Sequence, residues 1–241
     1  MRLNDTLFSY LRGEQFSNGL RAEFTFDQSD YVLHSRISWL TERCRGRRVV
    51  HVGCVDHDIA MVEHKRARGK WLHGELMEAA ERVLGVDIDA EGLAALEQKF
   101  GIDDLLSANL LTDPCEPIFA EKWDIMLLAE VLEHIGDPVT FLRTLRERFG
   151  GVANEFIITV PNAFAEEIVA AARNGTEVVN SDHRFWFTPY TIAKLCIDAG
   201  LVPEEVVLCR NGVIKRRSLL KNRRLAARPF TRNNIIVRAR A

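Results

Sequence analysis

His134 and His183 are the residues whose chemistry is easiest to name. His134 follows an apolar run in Ala129-Glu130-Val-Leu-Glu133-His134, and His183 lies in Asn180-Ser-Asp182-His183-Arg184, ahead of an aromatic stretch. Imidazole titrates near neutrality, so either can serve as the general base for an acceptor hydroxyl. The plainer alternative is that Glu133 and His134 cap the following turn and that His183 anchors its loop. A second group, Asp56, His57, Asp58, Glu63, His64 and His73, invites a metal, because imidazole and carboxylate suit zinc, iron or manganese. Its spacing argues otherwise, since no histidine pair has an i, i+4 relation with a third ligand nearby, and no metal site is expected. Asp87 ends the run Val83-Leu-Gly-Val-Asp87, where an acid can take both hydroxyls of a ribose.

Groups of this kind need rigid elements to aim them. Val49, Val50 and Val52 before Gly53 suggest a buried parallel strand with a sharp turn at its end, and the apolar positions from Leu72 onward recur with helical spacing before the strand that ends at Asp87. A strand-loop-helix-strand unit places its ligand outside the carboxyl ends of the strands. Gly92 to Phe100 reads as a helix closed by Gly101, and a weak strand precedes Asn109. Asp124 to Leu128 is a central buried strand. A helix carrying Phe141, Leu142, Leu145 and Phe149 follows, then a strand from Glu155 that Pro161 ends. Ala165 to Asn174 and a helix capped at Thr188 and running to Ala199 come next. Glu205 to Leu208 and Asn234 to Val237 supply two more apolar runs.

Val52-Gly53-Cys54, Asp56-His57, Leu72-His73, Gly85-Val-Asp87-Ile88-Asp89, the block from Glu130 to Pro138 and Pro161-Asn162-Ala-Phe164 together resemble class I S-adenosylmethionine-dependent methyltransferases. They are most similar to a subgroup associated with surface-polysaccharide biosynthesis, and the likeness covers residues 47–209 and the final strand. The resemblance implies an α/β fold: a Rossmann-like, doubly wound, mostly parallel seven-stranded sheet with an antiparallel last strand. It implies S-adenosylmethionine as cofactor, with His51, Gly53 and Cys54 at the first turn, His57 and His73 at the methionine end, Asp87 and Ile88 at the ribose, Asn109 at the adenine edge and Glu130 facing the cofactor. Backbone N–H groups at the helix start would meet the cofactor carboxylate. His134 becomes the base and His183 the second candidate, with Glu133, Asn162 and Phe164 on the acceptor. His51 stands where the family usually has an acid, and Val55 and His57 stand where glycines are common. The implied reaction is O-methylation of a sugar or glycan-type small acceptor. The alternatives are an RNA methyltransferase and a protein that binds S-adenosylmethionine without turnover.

With 241 residues and 47% hydrophobic content, the chain can bury the core of one domain, read as an N-terminal cap segment (1–46) and a methyltransferase domain (47–241) with a basic insertion at 210–232. Ser29-Asp30 could cap a helix through Cys44, and His34 reads as surface. No window approaches the roughly 20 apolar residues that cross a bilayer, and no leader pattern opens the chain. The expected location is the cytoplasm. Five cysteines, Cys44, Cys54, Cys115, Cys196 and Cys209, lack metal-ligand spacing and fit free thiols. The net charge of −2 hides an asymmetry, because residues 206–241 hold 11 Lys/Arg and no acid. Such a run usually forms a solvated face, though it could meet nucleic acid or an anionic acceptor such as a lipid diphosphate.

Overall fold

A computed structural model describes residues 3, 5–14, 21, 23, 25, 32–56, 59–212, 214 and 218–241. The elements are α1 (Asp5–Leu11), β1 (His34–Ser35), α2 (Arg36–Cys44), β2 (Arg48–Val52), α3 (Ile59–Arg66), α4 (Leu72–Ala79), β3 (Arg82–Asp87), α5 (Ala90–Phe100), β4 (Leu105–Ser107), α6 (Glu116–Phe119), β5 (Trp123–Ala129), α7 (Pro138–Phe149), β6 (Ala153–Pro161), α8 (Glu166–Arg173), α9 (Pro189–Asp198), β7 (Val202–Arg210), α10 (Leu219–Ala227) and β8 (Asn234–Arg240). They build one sheet of order β1-β7-β8-β6-β5-β2-β3-β4. Strands β2 to β6 run parallel, and β8 pairs antiparallel with both β6 and β7. The expected seven-stranded sheet is therefore present as β2 to β8, with the two-residue β1 added beside β7.

Continuous apolar runs form the central strands because helices cover both faces of the sheet. In β5, Met126 and Leu128 join α7 and α9 residues such as Leu142, Leu145 and Ile192 on one face. Ile125 and Leu127 join Leu40 of α2 and Leu76 of α4 on the other. The chain enters at β2, winds outward through β3 and β4, returns to β5 and winds the other way. Loops thus leave the carboxyl ends of the neighbouring strands β2 and β5 in opposite directions and open a crevice there.

Several boundaries differ from the sequence reading for identifiable reasons. Residues 5–11, within the expected cap segment, form α1, because Leu7 and Leu11 recur at i, i+4 and bury in the main core while Lys194 of α9 donates to the Leu11 carbonyl at 2.9 Å. Ser35 caps α2 through a hydrogen bond from the Ser38 N–H, whereas the expected caps Ser29 and Asp30 lie outside the described residues. His34 is half-buried in β1 rather than on the surface. The stretch expected as a polar loop between Cys54 and Lys70 contains α3, which buries Val62 and leaves Glu63 and His64 exposed. Thr188 caps α9 in a reciprocal capping box with Thr191.

The basic insertion is structural in part, while its Lys221, Arg223 and Arg228 are exposed. α10 occupies its second half, and Arg232, almost fully buried, donates to the carbonyls of Leu225 (3.1 Å), Leu208 (2.8 Å) and Ala226 (3.3 Å), tying α10 to β7. Arg224 pairs with Glu166 at 2.9 Å and Arg210 donates to Asn222 at 3.1 Å. A solvated face was the wrong description for Arg232, since a guanidinium with five donors is the side chain best able to satisfy several carbonyls at a helix end. Lys215, Arg216 and Arg217 lie outside the described residues. Arg232→Met is expected to lower the unfolding free energy in urea by about 2–4 kcal/mol, since each buried carbonyl left unpaired costs about 1–3 kcal/mol and water re-enters part of the gap. Hydrogen exchange should rise first in α10. Unchanged stability would show that α10 is held by packing alone.

Candidate active site

A cavity of about 670 Å³ opens at the crevice between β2 and β5, a size suited to a nucleoside cofactor and a small acceptor. Val52 of β2, Val86 and Asp87 of β3 and Ala129 of β5 reach it from the sheet, and the loops behind these strands complete it. Gly53 makes the first turn with φ +74°, and a Cβ on it would stand 2.7 Å from Val131 Cγ2. Only glycine lets these two loops approach so closely.

At the end of β3, the half-buried Asp87 accepts from the backbone N–H groups of Val55 (3.0 Å) and Asp89 (3.1 Å). An ionised carboxylate has about four acceptor sites, so capacity remains for a ribose diol. Ile88 stands at the cavity rim with 78% of its surface exposed. Asn109 also lines the cavity, and its side-chain oxygen accepts from the Leu111 N–H at 3.0 Å, which is the turn role the sequence allowed. His57 lies outside the described residues.

Two further histidines sit beneath the first turn. His51 of β2 lies opposite Gly85 in register, and His73 comes from the first turn of α4. Their Nδ1 atoms are 3.1 Å apart, with the rings stacked at 5.3 Å. Gly85 makes the space, because a Cβ there would stand 2.9 Å from His73 Cε1 and 3.0 Å from Cys54 Sγ. Burial holds His51 well below the ordinary imidazole range, helped by His73 and Arg36, and burial brings His73 down to about 4. Both rings are neutral at physiological pH. Burial pushes the Cys54 thiol upward, as does the charge of Asp87, which disfavours its thiolate.

Glu130 begins the loop after β5 with φ +61°, rare for any residue but glycine. Its carboxylate accepts from Thr159 Oγ1 (2.8 Å) and Asn234 Nδ2 (3.1 Å), with Arg36 Nη1 at 3.9 Å, and its N–H donates to the Thr159 carbonyl. The turn aims the next residues at the cavity. Glu133 is fully buried with no hydrogen-bond partner on either oxygen, and burial, then the charge of Glu130, raises its carboxyl to about 8. His134 meets His183 edge to face at 4.9 Å, and its Nδ1 lies 3.8 Å from Asp182. The Arg184 N–H donates to the Glu133 carbonyl at 2.7 Å, which docks the second loop on the first. Burial and then the neighbouring His134 lower the pKa of His183, whose Nδ1 has no hydrogen-bond partner.

One ligand atom each from Glu133, His134 and His183 fall within 4.8 Å of one another. The members of this cluster come from two loops distant in the chain and share no local spacing, so no sequence pattern joins them, unlike the run of histidines and carboxylates after β2. Asn162 and Phe164 are not brought into the cavity. The buried Asn162 amide donates to the carbonyls of Phe230 (2.8 Å) and Arg232 (2.6 Å) and accepts from the Phe164 N–H, so it holds β6 to the segment before β8. The Phe164 ring faces Phe230 at 6.4 Å. Arg36 and Trp71 line the cavity without having been singled out from sequence, since neither belongs to a recognisable motif.

A family profile described as "Methyltransferase domain" matches residues 27–206. The chain belongs to this methyltransferase family. Its curated relatives include a ubiquinone biosynthesis O-methyltransferase of Aeromonas salmonicida, 24% identical over 188 residues and covering 71% of each chain. The corresponding Bordetella pertussis protein is 25% identical over 206 residues and 79% of each chain. Among solved structures, an S-adenosylmethionine-dependent methyltransferase of Mesorhizobium loti superposes with a TM-score of 0.51 at 18% identity, over 85% of this chain and 98% of that one. A small RNA methyltransferase gives 0.56 at 18% identity over 94% of this chain, which spans only 27% of that protein. The methyltransferase uses S-adenosylmethionine. The expected surface-polysaccharide subgroup is not the one these relatives represent, most of which are named for ubiquinone biosynthesis. Among the described residues no helix is long and apolar enough to cross a membrane.

If Asp87 holds the ribose, Asp87→Asn should weaken S-adenosylhomocysteine binding by about 1.5–3 kcal/mol in calorimetry, the loss of a hydrogen bond to a charged group. An unchanged dissociation constant would remove Asp87 from the nucleoside site.

Proposed function

We propose that the methyltransferase methylates a hydroxyl of a small acceptor held against Glu133, His134 and His183. The observation that carries this reading is the convergence of one carboxyl and two imidazole groups, within 4.8 Å, on the cavity that Asp87 also lines. S-adenosylmethionine supplies a methyl group already activated by its sulfonium. The protein therefore has to align the acceptor, exclude water and accept the hydroxyl proton. His134, with Nδ1 turned toward Asp182, takes that proton on Nε2, and His183 packs edge-on to keep the ring in place. The names of the curated relatives favour an acceptor from ubiquinone biosynthesis over a sugar or glycan. For an RNA acceptor the basic segment offers the exposed Lys221, Arg223 and Arg228, while Arg232 is buried and Arg224 is paired.

A second reading is favoured by the unpartnered oxygens of Glu133 and the unpartnered Nδ1 of His183. Together with His134 they form a nitrogen and oxygen donor set suited to zinc, iron or manganese. A divalent ion held there would polarise the acceptor hydroxyl as a Lewis acid.

Both readings place His134 at the reacting hydroxyl, so His134→Ala should lower kcat by about 10²–10⁴-fold while cofactor affinity stays within about twofold. Turnover near that of the wild type would sink both. Chelation separates them. Full activity after chelator treatment and dialysis leaves direct proton transfer to His134. Activity lost and then restored by manganese or zinc, with a bound ion that His183→Ala releases, establishes the cation.

A further inference from the structure

The carboxyl edge of the sheet carries a feature that the proposed transfer does not use. Strands β6 and β7 run in the same direction, each antiparallel to β8 between them. The chain leaves β7 at Arg210 and re-enters the sheet at Asn234, which lies opposite Pro161 at the end of β6 and whose amide donates to Glu130 in the loop after β5. The segment between β7 and β8, with α10 in it, therefore emerges from the same edge as the loops that line the cavity. Leu225 anchors α10 by its burial, and the ion pair of Arg224 with Glu166 ties it to α8.

The first turn of α10 faces solvent, with Leu219 and Leu220 67% and 85% exposed. A single leucine on a surface is ordinary. Two in succession present apolar surface that a partner would favourably cover, and the charges around them say which partner. Lys221, Arg223 and Arg228 are exposed and, among the described residues, enter no ion pair. Lys215-Arg216-Arg217 precede this turn in the sequence, and residues 206–241 contain no acid. The two acids at the start of α8 are already engaged, Glu166 by Arg224 and Glu167 by the Asn233 amide at 3.2 Å. Positive charge alone would suit phosphates of any kind, nucleic acid included. The leucines decide. An aliphatic side chain has nothing to donate to a base or accept from one, and it lacks the ring on which a base stacks. It gains instead by entering the acyl boundary of a bilayer, while neighbouring Lys and Arg side chains reach back to the lipid phosphates.

We propose that the first turn of α10 docks the methyltransferase on an anionic lipid surface, with Leu219 and Leu220 in the acyl boundary and Lys221, Arg223 and Arg228 against the lipid phosphates. Because α10 and the cavity share one edge of the sheet, docking brings that edge to the lipid, whichever acceptor hydroxyl the site takes. Flotation of the full chain with vesicles tests this. The protein should float with phosphatidylcholine vesicles containing about a third phosphatidylglycerol and stay behind with pure phosphatidylcholine. Salt at about 1 M, which screens charges within about 3 Å, should release it. Leu219→Ser with Leu220→Ser, and Lys221→Glu with Arg223→Glu, alter only exposed side chains, and each pair should lower the partition coefficient at least about tenfold while the melting temperature stays the same. Partition that the leucine variant keeps and the charge variant loses would reduce the surface to general attraction between charges and overturn the docking, as would equal binding to the two vesicle compositions. Protein that ignores the anionic vesicles overturns it outright. If that protein instead binds single-stranded RNA, with affinity lost in the charge variant and kept in the leucine variant, the segment belongs to nucleic acid.

Discussion

The geometry of the Glu133–His134–His183 cluster depends on the backbone of Glu130. A side chain at φ +61° costs on the order of 1–3 kcal/mol, and such a conformation persists only where its surroundings over-determine it. Here Thr159 from β6, Asn234 from β8 and Arg36 from α2 all engage one carboxylate, while the Glu130 N–H is fixed to β6. Three elements from different parts of the chain thus hold one turn. Without that turn Val131 could not press against Gly53, and Glu133 and His134 would not face the cavity. Glu130 is in this sense a positioning residue, whose carboxylate is largely committed to the protein itself.

This explains why the site was only partly legible in the sequence. Gly53 and Asp87 announce themselves because each sits directly at the end of a strand, and His134 because it lies in the loop that follows one, and strand ends are where a parallel sheet exposes its crevice. Asn162 sits at a strand end too, but its amide is consumed by carbonyls near residues 230–232, a pairing that depends on how the chain returns to form β8. Arg232 shows the converse. Composition placed it in a basic, solvated run, and only the path of α10 under β7 shows that it is an internal strut. The parallel order was readable because β2, β3 and β5 are dominated by buried apolar residues. α1 and α3 were missed because each is short and, among the described residues, buries only one or two side chains.

The same logic separates the histidines. His64 is exposed on α3, and His34 is half-buried in a two-residue edge strand. The other four described histidines, His51, His73, His134 and His183, form two ring pairs on the wall of one cavity, with centroids 5.3 Å and 4.9 Å apart. Pairing within each couple was invisible in the sequence, since each joins a residue at a strand end to one from a separate loop or helix.

Where a protein leaves buried polar atoms unpaired is itself informative, since native structures contain few of them and each carries a free-energy cost. Among the described residues eleven side-chain atoms are in this state, and seven belong to residues of this cavity: Arg36, His51, Trp71, His73, both oxygens of Glu133, and His183. An evenly distributed deficit would point to ordinary imperfections of packing. Concentration on one wall means that the fold tolerates desolvated donors and acceptors where a ligand completes their hydrogen bonds, which is also the condition for strong electrostatic selectivity in a water-poor site. The two ends of the cavity differ in kind: at one, burial lowers the pKa of His51 and His73, and at the other, burial and then the charge of Glu130 raise that of Glu133 beside the paired rings of His134 and His183.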